Sequence, residues 1–323
     1  MKTAEPSSDS GRAAPAERAE RYDAILIGSG QAANPLAVDL AAAGWRVAVV
    51  EREHVGGTCI NEGCTPTKTM IASGRAAYLA RRGADFGVRT GPVAVDQVKV
   101  RQRKRDIVES FRSGSERSLR RDGIDLLMGE ASFAGPRLVR VRLREGRTRH
   151  LTAERLFLNT GARPSRPPLP GLDDVPSFDS TTIMELDAVP DHLLVLGGGY
   201  VGLEFGQLFR RLGSRVTIVQ RGPQLLARED EDVATAVADV LRQDGIEVLL
   251  ETEAVRVAPG PGGAGGPGGP SGSVALTVRP RRSGAGPDER PSDERPSDER
   301  PSDERSIEGS HLLVATGRRP NTE

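Results

Sequence analysis

Tyr22-Asp-Ala-Ile-Leu-Ile-Gly28-Ser-Gly30-Gln-Ala-Ala33 is the stretch on which the fold turns. A short apolar run ends in a glycine turn, and small and apolar residues then recur at helical spacing to Ala43. Strand, glycine turn and helix in that order is the context a dinucleotide fingerprint requires. A second apolar run, Arg46-Val-Ala-Val-Val50, ends at Glu51, about 20 residues after the first glycine, where the motif places an acid for the ribose hydroxyls. Ala33 stands at the third glycine position and still permits close helix-to-strand packing.

The pattern repeats. His192-Leu-Leu-Val-Leu196 reads as a strand, Gly197-Gly-Gly199-Tyr-Val-Gly202 as the turn, Tyr200 to Leu212 as a helix and Arg215-Val-Thr-Ile-Val219 as the next strand. One glycine fingerprint is weak evidence. Two, each with its own second strand, predict an α/β protein with two dinucleotide-binding domains. The second copy ends in Gln220-Arg221 instead of an acid. A carboxylate there would repel a 2′-phosphate and an arginine can bind one, so this site is expected to take NADP, with NAD the alternative.

Behind the first fingerprint lies Glu51-Arg-Glu-His-Val-Gly56-Gly57-Thr58-Cys59-Ile-Asn-Glu-Gly-Cys64-Thr-Pro66-Thr-Lys68. Cys59 and Cys64 are the only cysteines in 323 residues. A lone pair of thiols beside a nucleotide site reads as redox chemistry, with Gly56-Gly57 letting the backbone approach a ligand. A single pair cannot complete a tetrahedral zinc site, so no metal is expected.

The 45 basic and 45 acidic residues cancel, leaving no global field to recruit nucleic acid or an anionic membrane. No apolar run approaches the ~20 residues of a membrane helix. Residues 1–20 lack the apolar centre of a secretory signal and read as a disordered tail, so the expected location is cytoplasmic. Only four cations are lysines, Lys2, Lys68, Lys99 and Lys104. The Arg-dense run Lys99 to Arg121 reads as a solvated amphipathic helix, since no aromatic residues interleave its charges as a nucleic-acid surface would have. Between 259 and 305, glycine and proline runs and three Pro-Ser-Asp-Glu-Arg copies mark a flexible insertion, with Val274-Ala-Leu-Thr-Val278 a strand inside it.

The pattern GGTCxxxxCxPTK resembles the active-site helix of the pyridine nucleotide-disulfide oxidoreductases, which include dihydrolipoamide dehydrogenase, glutathione reductase and mercuric reductase. Its flanks, Lys68-Thr-Met-Ile-Ala-Ser and Arg75-Ala-Ala-Tyr-Leu-Ala-Arg-Arg, look most like the mercuric reductase branch. The resemblance runs from Tyr22 to Glu323 outside the insertion. It implies two Rossmann-like domains, FAD first and NAD(P) second, with 21–163 forming one and 164–323 the other. On the FAD side it implies contacts from Gly28, Gly30, Ala33, Glu51, Gly57, Thr58, Lys68, Ala131, Thr160, Gly161 and Gly317. Gly129-Glu-Ala131-Ser-Phe133 matches a segment touching the adenine side of FAD, a plain turn being the other reading. On the nicotinamide side the resemblance implies Gly197, Gly199, Gly202, Glu204, Gln220, Arg221 and Ala254. Cys64 would be the flavin-side thiol and Cys59 the interchange thiol, with Lys68 and Glu204 paired near the nicotinamide. The implied reaction passes electrons from NADPH through flavin to the Cys59/Cys64 disulfide and on to a small-molecule or protein disulfide or Hg(II). An NAD-dependent enzyme of the dihydrolipoamide dehydrogenase type and a nucleotide-binding module without turnover are the alternatives. Relatives continue with a second flavin segment and a dimer-forming domain bearing a His-Glu pair. Both are expected to lie beyond Glu323, and a homodimer is expected of the full-length member.

Overall fold

The computed structural model describes residues 19–261, 273–281 and 303–322. Residues 1–18 of the expected tail and most of the expected flexible insertion lie outside the described residues, whereas Glu20, expected within that tail, stands in the strand Glu20–Arg21 and pairs with Leu151. The strand expected inside that insertion is present as Val274–Pro280. Contacts divide the chain into two units, the first built from residues up to Asn61 with Glu109–Gly161, the second from Glu62–Val108 and Ala162–Asn321.

The first unit is a seven-stranded sheet in the order Glu20–Arg21, Thr148–Thr152, Leu138–Leu143, Ile124–Gly135, Val47–Glu51, Ala24–Ile27, Arg155–Leu158. Ala24–Ile27 pairs in parallel with Val47–Glu51 on one side and Arg155–Leu158 on the other. Alternate residues of the first strand enter different cores, Ile25 with Val139 and Leu151, and Ala24 and Leu26 with Val49 and Leu119. A parallel strand covered on both faces needs an unbroken apolar run, which is why its sequence shows no alternation.

The second unit repeats this logic in a five-stranded parallel sheet ordered Glu247–Leu249, Arg215–Val219, His192–Leu196, His311–Val314, Ser177–Phe178. Leu193 and Val195 pack with Phe205, Leu208 and Phe209 of the helix Tyr200–Leu212, and Leu194 and Leu196 pack on the opposite face with Leu276 and Val278. A three-stranded antiparallel sheet, Thr252–Pro259, Val274–Pro280 and Arg305–Gly309, supplies that opposite layer.

The units interleave in sequence, whereas a single boundary at 163/164 was expected. Residues 62–108 join the second unit because the helix Cys64–Arg81 packs on the helix Tyr200–Leu212. A methyl on Gly74 would sit 3.0 Å from Leu208 Cδ1, and Arg81 donates to the carbonyl of Leu212 at 3.3 Å. The Arg-dense helix spans Gln97–Leu119 and is not wholly solvated as expected. Lys104 is buried against Glu185, while Arg101 and Arg103 donate to the carbonyls of Glu185 and Thr69, each at 2.8 Å. These cations tie neighbouring segments together, and sequence periodicity gives no sign of that use.

A polar chain crosses three strands of the second sheet. Arg215 Nη2 donates to His192 Nδ1 at 2.6 Å, and since a guanidinium only donates, His192 carries its proton on Nε2 and gives it to Thr217 Oγ1 at 2.9 Å. Thr217 in turn donates to Glu247 Oε2 at 2.8 Å. Burial first, then the Arg215 charge, hold His192 below the ordinary imidazole value of 6.5, and burial does the same to His311. A depressed imidazole value means that the unfolded chain binds more protons just below pH 6.5, so this stability is present above that pH and is lost as pH falls through it. The melting temperature is therefore expected to drop between pH 7.5 and pH 5.5, and a flat thermal profile over that window would contradict the assignment.

Candidate nucleotide and thiol sites

Each glycine turn separates glycines the protein needs for itself from glycines it does not. Gly28 has φ +94°, and a methyl there would lie 2.2 Å from the carbonyl oxygen of Asn159. Gly197 has φ +113° with the corresponding clash at 2.5 Å from Ala315 O, and a methyl at Gly202 would meet Gly197 O at 2.2 Å. Gly30 and Gly199 differ: their backbones lie outside the positive-φ range and a methyl on either would meet nothing within 4 Å. The fold itself places no demand for glycine at these two positions.

Both turns also leave a helix start without a side-chain cap. The helices Ala33–Ala42 and Tyr200–Leu212 are preceded by Ala32 and Gly199, and neither residue supplies a capping hydrogen bond. At the first turn the Ala33 and Asn34 amides donate to Gly30 O, each at 3.1 Å, and the positive helix end behind each turn, with open space in front of it, is the arrangement that receives a phosphate. The residues of both turns therefore fit a dinucleotide.

The strand-end residues separate the two sites chemically. Glu51 is buried, and its Oε2 accepts from the Ser29 amide at 3.0 Å and the Ser29 hydroxyl at 2.6 Å, while Oε1 accepts from Glu53 N at 2.8 Å. Gln220 holds the same place in the second unit: its Oε1 accepts from Gly198 N at 3.1 Å and its Nε2 donates to Gln224 O at 3.1 Å. These two contacts fix the amide orientation. Arg221 beside it is exposed.

Cys59 lies in the short helix Gly57–Asn61 and is half-buried, whereas Cys64 is exposed and opens the helix Cys64–Arg81. Both are thiols. The Gly56-Gly57 turn has positive φ at both residues, and a methyl on Gly57 would lie 2.7 Å from Gly30 Cα, so the thiol-bearing segment packs directly on the first glycine turn. Asn61 Nδ2 fastens it by donating to Val55 O at 3.1 Å and Gly57 O at 2.9 Å. One helical turn past Cys64, Lys68 Nζ stands 3.8 Å from Glu204 Oε1, both side chains partly exposed. At that exposure the pair contributes under about 1 kcal/mol to stability.

The remaining expected residues are dispersed. Ala131 lies within the strand Ile124–Gly135, paired with Val141, so Gly129–Phe133 is not a plain turn. Thr160 and Gly161 follow the strand Arg155–Leu158, Gly161 with φ +72°. Gly317, with φ +122°, accepts from Ser165 N at 2.9 Å. Ala254 sits at a bulge in the strand Thr252–Pro259, and Thr58 is half-buried beside Cys59. Ser29, absent from the sequence reading, is completely buried on Glu51. The middle position of a glycine turn gives no signal in sequence for that contact. Among the described residues no group of three or more His, Cys, Asp or Glu side chains is placed to hold a metal ion, and no helix is long and apolar enough to cross a membrane.

Two glycine turns that fit a dinucleotide, with Cys59 on a segment packed against the first, are the features of a two-nucleotide redox protein. The chain belongs to the pyridine nucleotide-disulphide oxidoreductase family, whose model matches residues 22–273. It is similar to the probable pyridine nucleotide-disulfide oxidoreductase RclA of Escherichia coli (strain K12), 38% identical over 242 residues that cover 74% of this chain and 51% of that protein. It is also similar to the mercuric reductase of Streptomyces lividans, 35% identical over 303 residues, 93% of this chain and 57% of that protein. Among solved structures, the HOCl-induced flavoprotein disulfide reductase RclA from Escherichia coli matches with a TM-score of 0.71 at 32% identity, covering 94% of this chain and 58% of that one. The chain thus spans about half the length of the curated relatives it matches.

Proposed function

We propose that this chain carries the nucleotide sites and thiols of a cytoplasmic reductase that takes electrons from NADPH, by way of FAD, and delivers them through Cys59 and Cys64 to a disulfide or to Hg(II). The full-length protein would act as a homodimer. The observation that carries the reading is the chemical difference between two otherwise matching glycine turns. One ends in an oriented, buried carboxylate, the other in a locked amide and an exposed arginine.

Bound FAD would supply a two-electron acceptor between nicotinamide and thiols. The first turn would hold its pyrophosphate at Gly30 and the start of the helix Ala33–Ala42, with Glu51 accepting from the ribose hydroxyls. The second turn would hold NADPH at Gly199, with Arg221 on the 2′-phosphate. Lys68, paired with Glu204, places an ammonium where it can stabilise negative charge developing nearby. The Cys59 thiolate attacks one sulfur of a substrate disulfide and releases the other as a thiol. Cys64 then displaces the second substrate thiol and leaves a Cys59–Cys64 disulfide, which two electrons from NADPH reduce again. With Hg(II), the two thiolates serve as soft ligands before reduction.

An anaerobic absorbance titration with NADPH tests this directly. The expected result is a yellow protein whose visible band changes as NADPH is consumed, while protein that neither holds flavin nor oxidises NADPH would overturn the reading. The choice of nucleotide has its own expected result. NADPH should bind more tightly than NADH, and Arg221→Ala should weaken NADPH binding by about 10- to 100-fold, the value of a charge-assisted phosphate contact. NADH affinity should hardly move. Equal wild-type affinities, or an unchanged NADPH dissociation constant in the variant, would remove Arg221 from this role.

A further inference from the structure

We infer that Ser29 is a positioning residue that ties the carboxylate of Glu51 to the turn carrying Cys59, an inference that rests on reading the first site as the FAD site. Ser29 is completely buried. Its hydroxyl has one hydrogen and gives it to Glu51 Oε2 at 2.6 Å, while its amide donates to the same oxygen at 3.0 Å. The hydroxyl oxygen still has lone pairs, and the Gly56 amide donates to it at 3.3 Å as well as to the Ser29 carbonyl at 3.1 Å. Gln31 Nε2 adds a bond to Gly56 O at 3.3 Å. A continuous hydrogen-bonded path therefore runs from the ribose-binding acid through one side chain to a backbone amide three residues before Cys59.

The second glycine turn shows that the fingerprint alone does not call for this hydroxyl. Gly198 occupies the matching position, its amide donates to Gln220 Oε1 at 3.1 Å, and a methyl there would lie 2.6 Å from Leu225 Cδ2. Backbone alone orients the strand-end side chain in that unit. The serine stands in the turn that must hold an acid and a thiol segment together. Because both bonds share one oxygen, polarisation of the hydroxyl by the charged Glu51 strengthens its acceptance from Gly56.

Ser29→Ala removes only the hydroxyl. Titration of flavin-stripped protein with FAD is expected to show about tenfold weaker binding in Ser29→Ala, the usual loss for a hydrogen bond to a charged group. In a Glu51→Gln background the same substitution should cost less than about twofold, since the partner whose charge it orients is gone. Hydrogen exchange at the Gly56 amide of the flavin-free protein should rise about threefold in Ser29→Ala, since the longer of its two hydrogen bonds is lost and the one to the Ser29 carbonyl remains. Equal FAD losses in both backgrounds, or Gly56 exchange unchanged by the substitution, would overturn the positioning role. Wild-type protein that binds no FAD would overturn the FAD reading instead, and Gly56 exchange would still decide whether Ser29 holds the thiol turn.

Discussion

Alanine at Gly30 or Gly199 is expected to leave the fold intact and to lower dinucleotide affinity by about 10- to 100-fold at the substituted site, equivalent to roughly 1.4 to 2.8 kcal/mol. The added methyl meets no protein atom within 4 Å at either position, so stability should change by no more than about 0.5 kcal/mol. The space it fills is the space in front of an uncapped helix start, where a pyrophosphate would come closest to the backbone. Alanine at Gly28 should behave in the opposite way. Its methyl would be driven to 2.2 Å from Asn159 O on a backbone with φ +94°, and a loss of about 3–5 kcal/mol is expected, enough to leave little folded protein. Melting curves with nucleotide dissociation constants for the four proteins, wild type included, separate the two effects. Binding by Gly30→Ala and Gly199→Ala at wild-type strength would mean that neither open space receives a phosphate.

Removing either thiol is expected to cost about 10³-fold or more in disulfide turnover, because the exchange needs both an attacking and a resolving sulfur. The two substitutions should nevertheless look different in a flavin-loaded protein. Two-electron reduction is expected to give a long-wavelength thiolate-to-flavin band that Cys64→Ser abolishes and Cys59→Ser retains. The bare chain exposes Cys64 more than Cys59, so exposure does not by itself mark the substrate-facing sulfur. The spectra of the two variants decide it. Loss of the band in Cys59→Ser with its retention in Cys64→Ser would reverse the roles.

Local chemistry made much of this legible in the chain itself. Gly28 and Gly197 are imposed by backbone geometry, the unbroken apolar strands by burial on two faces, and the second strand-turn-helix by repetition of the first. The helix Tyr200–Leu212 and the strand Arg215–Val219 fall where the pattern of apolar residues puts them. The thiol pair is equally plain, since two cysteines and a Gly-Gly turn need no tertiary context to stand out. What depends on residues far apart in the chain could be decided only by folding. Helix Cys64–Arg81 sits with the second unit because Gly74 allows close approach to Leu208, and nothing within either segment announces its partner. Lys104 is buried because Glu185, 81 residues away, meets it. The same holds for Ser29. A serine between two glycines gives no sign of its partners until the strand ending at Glu51 and the turn at Gly56 are brought against it, because a hydroxyl acquires direction only from the acceptor and donor that packing places on either side.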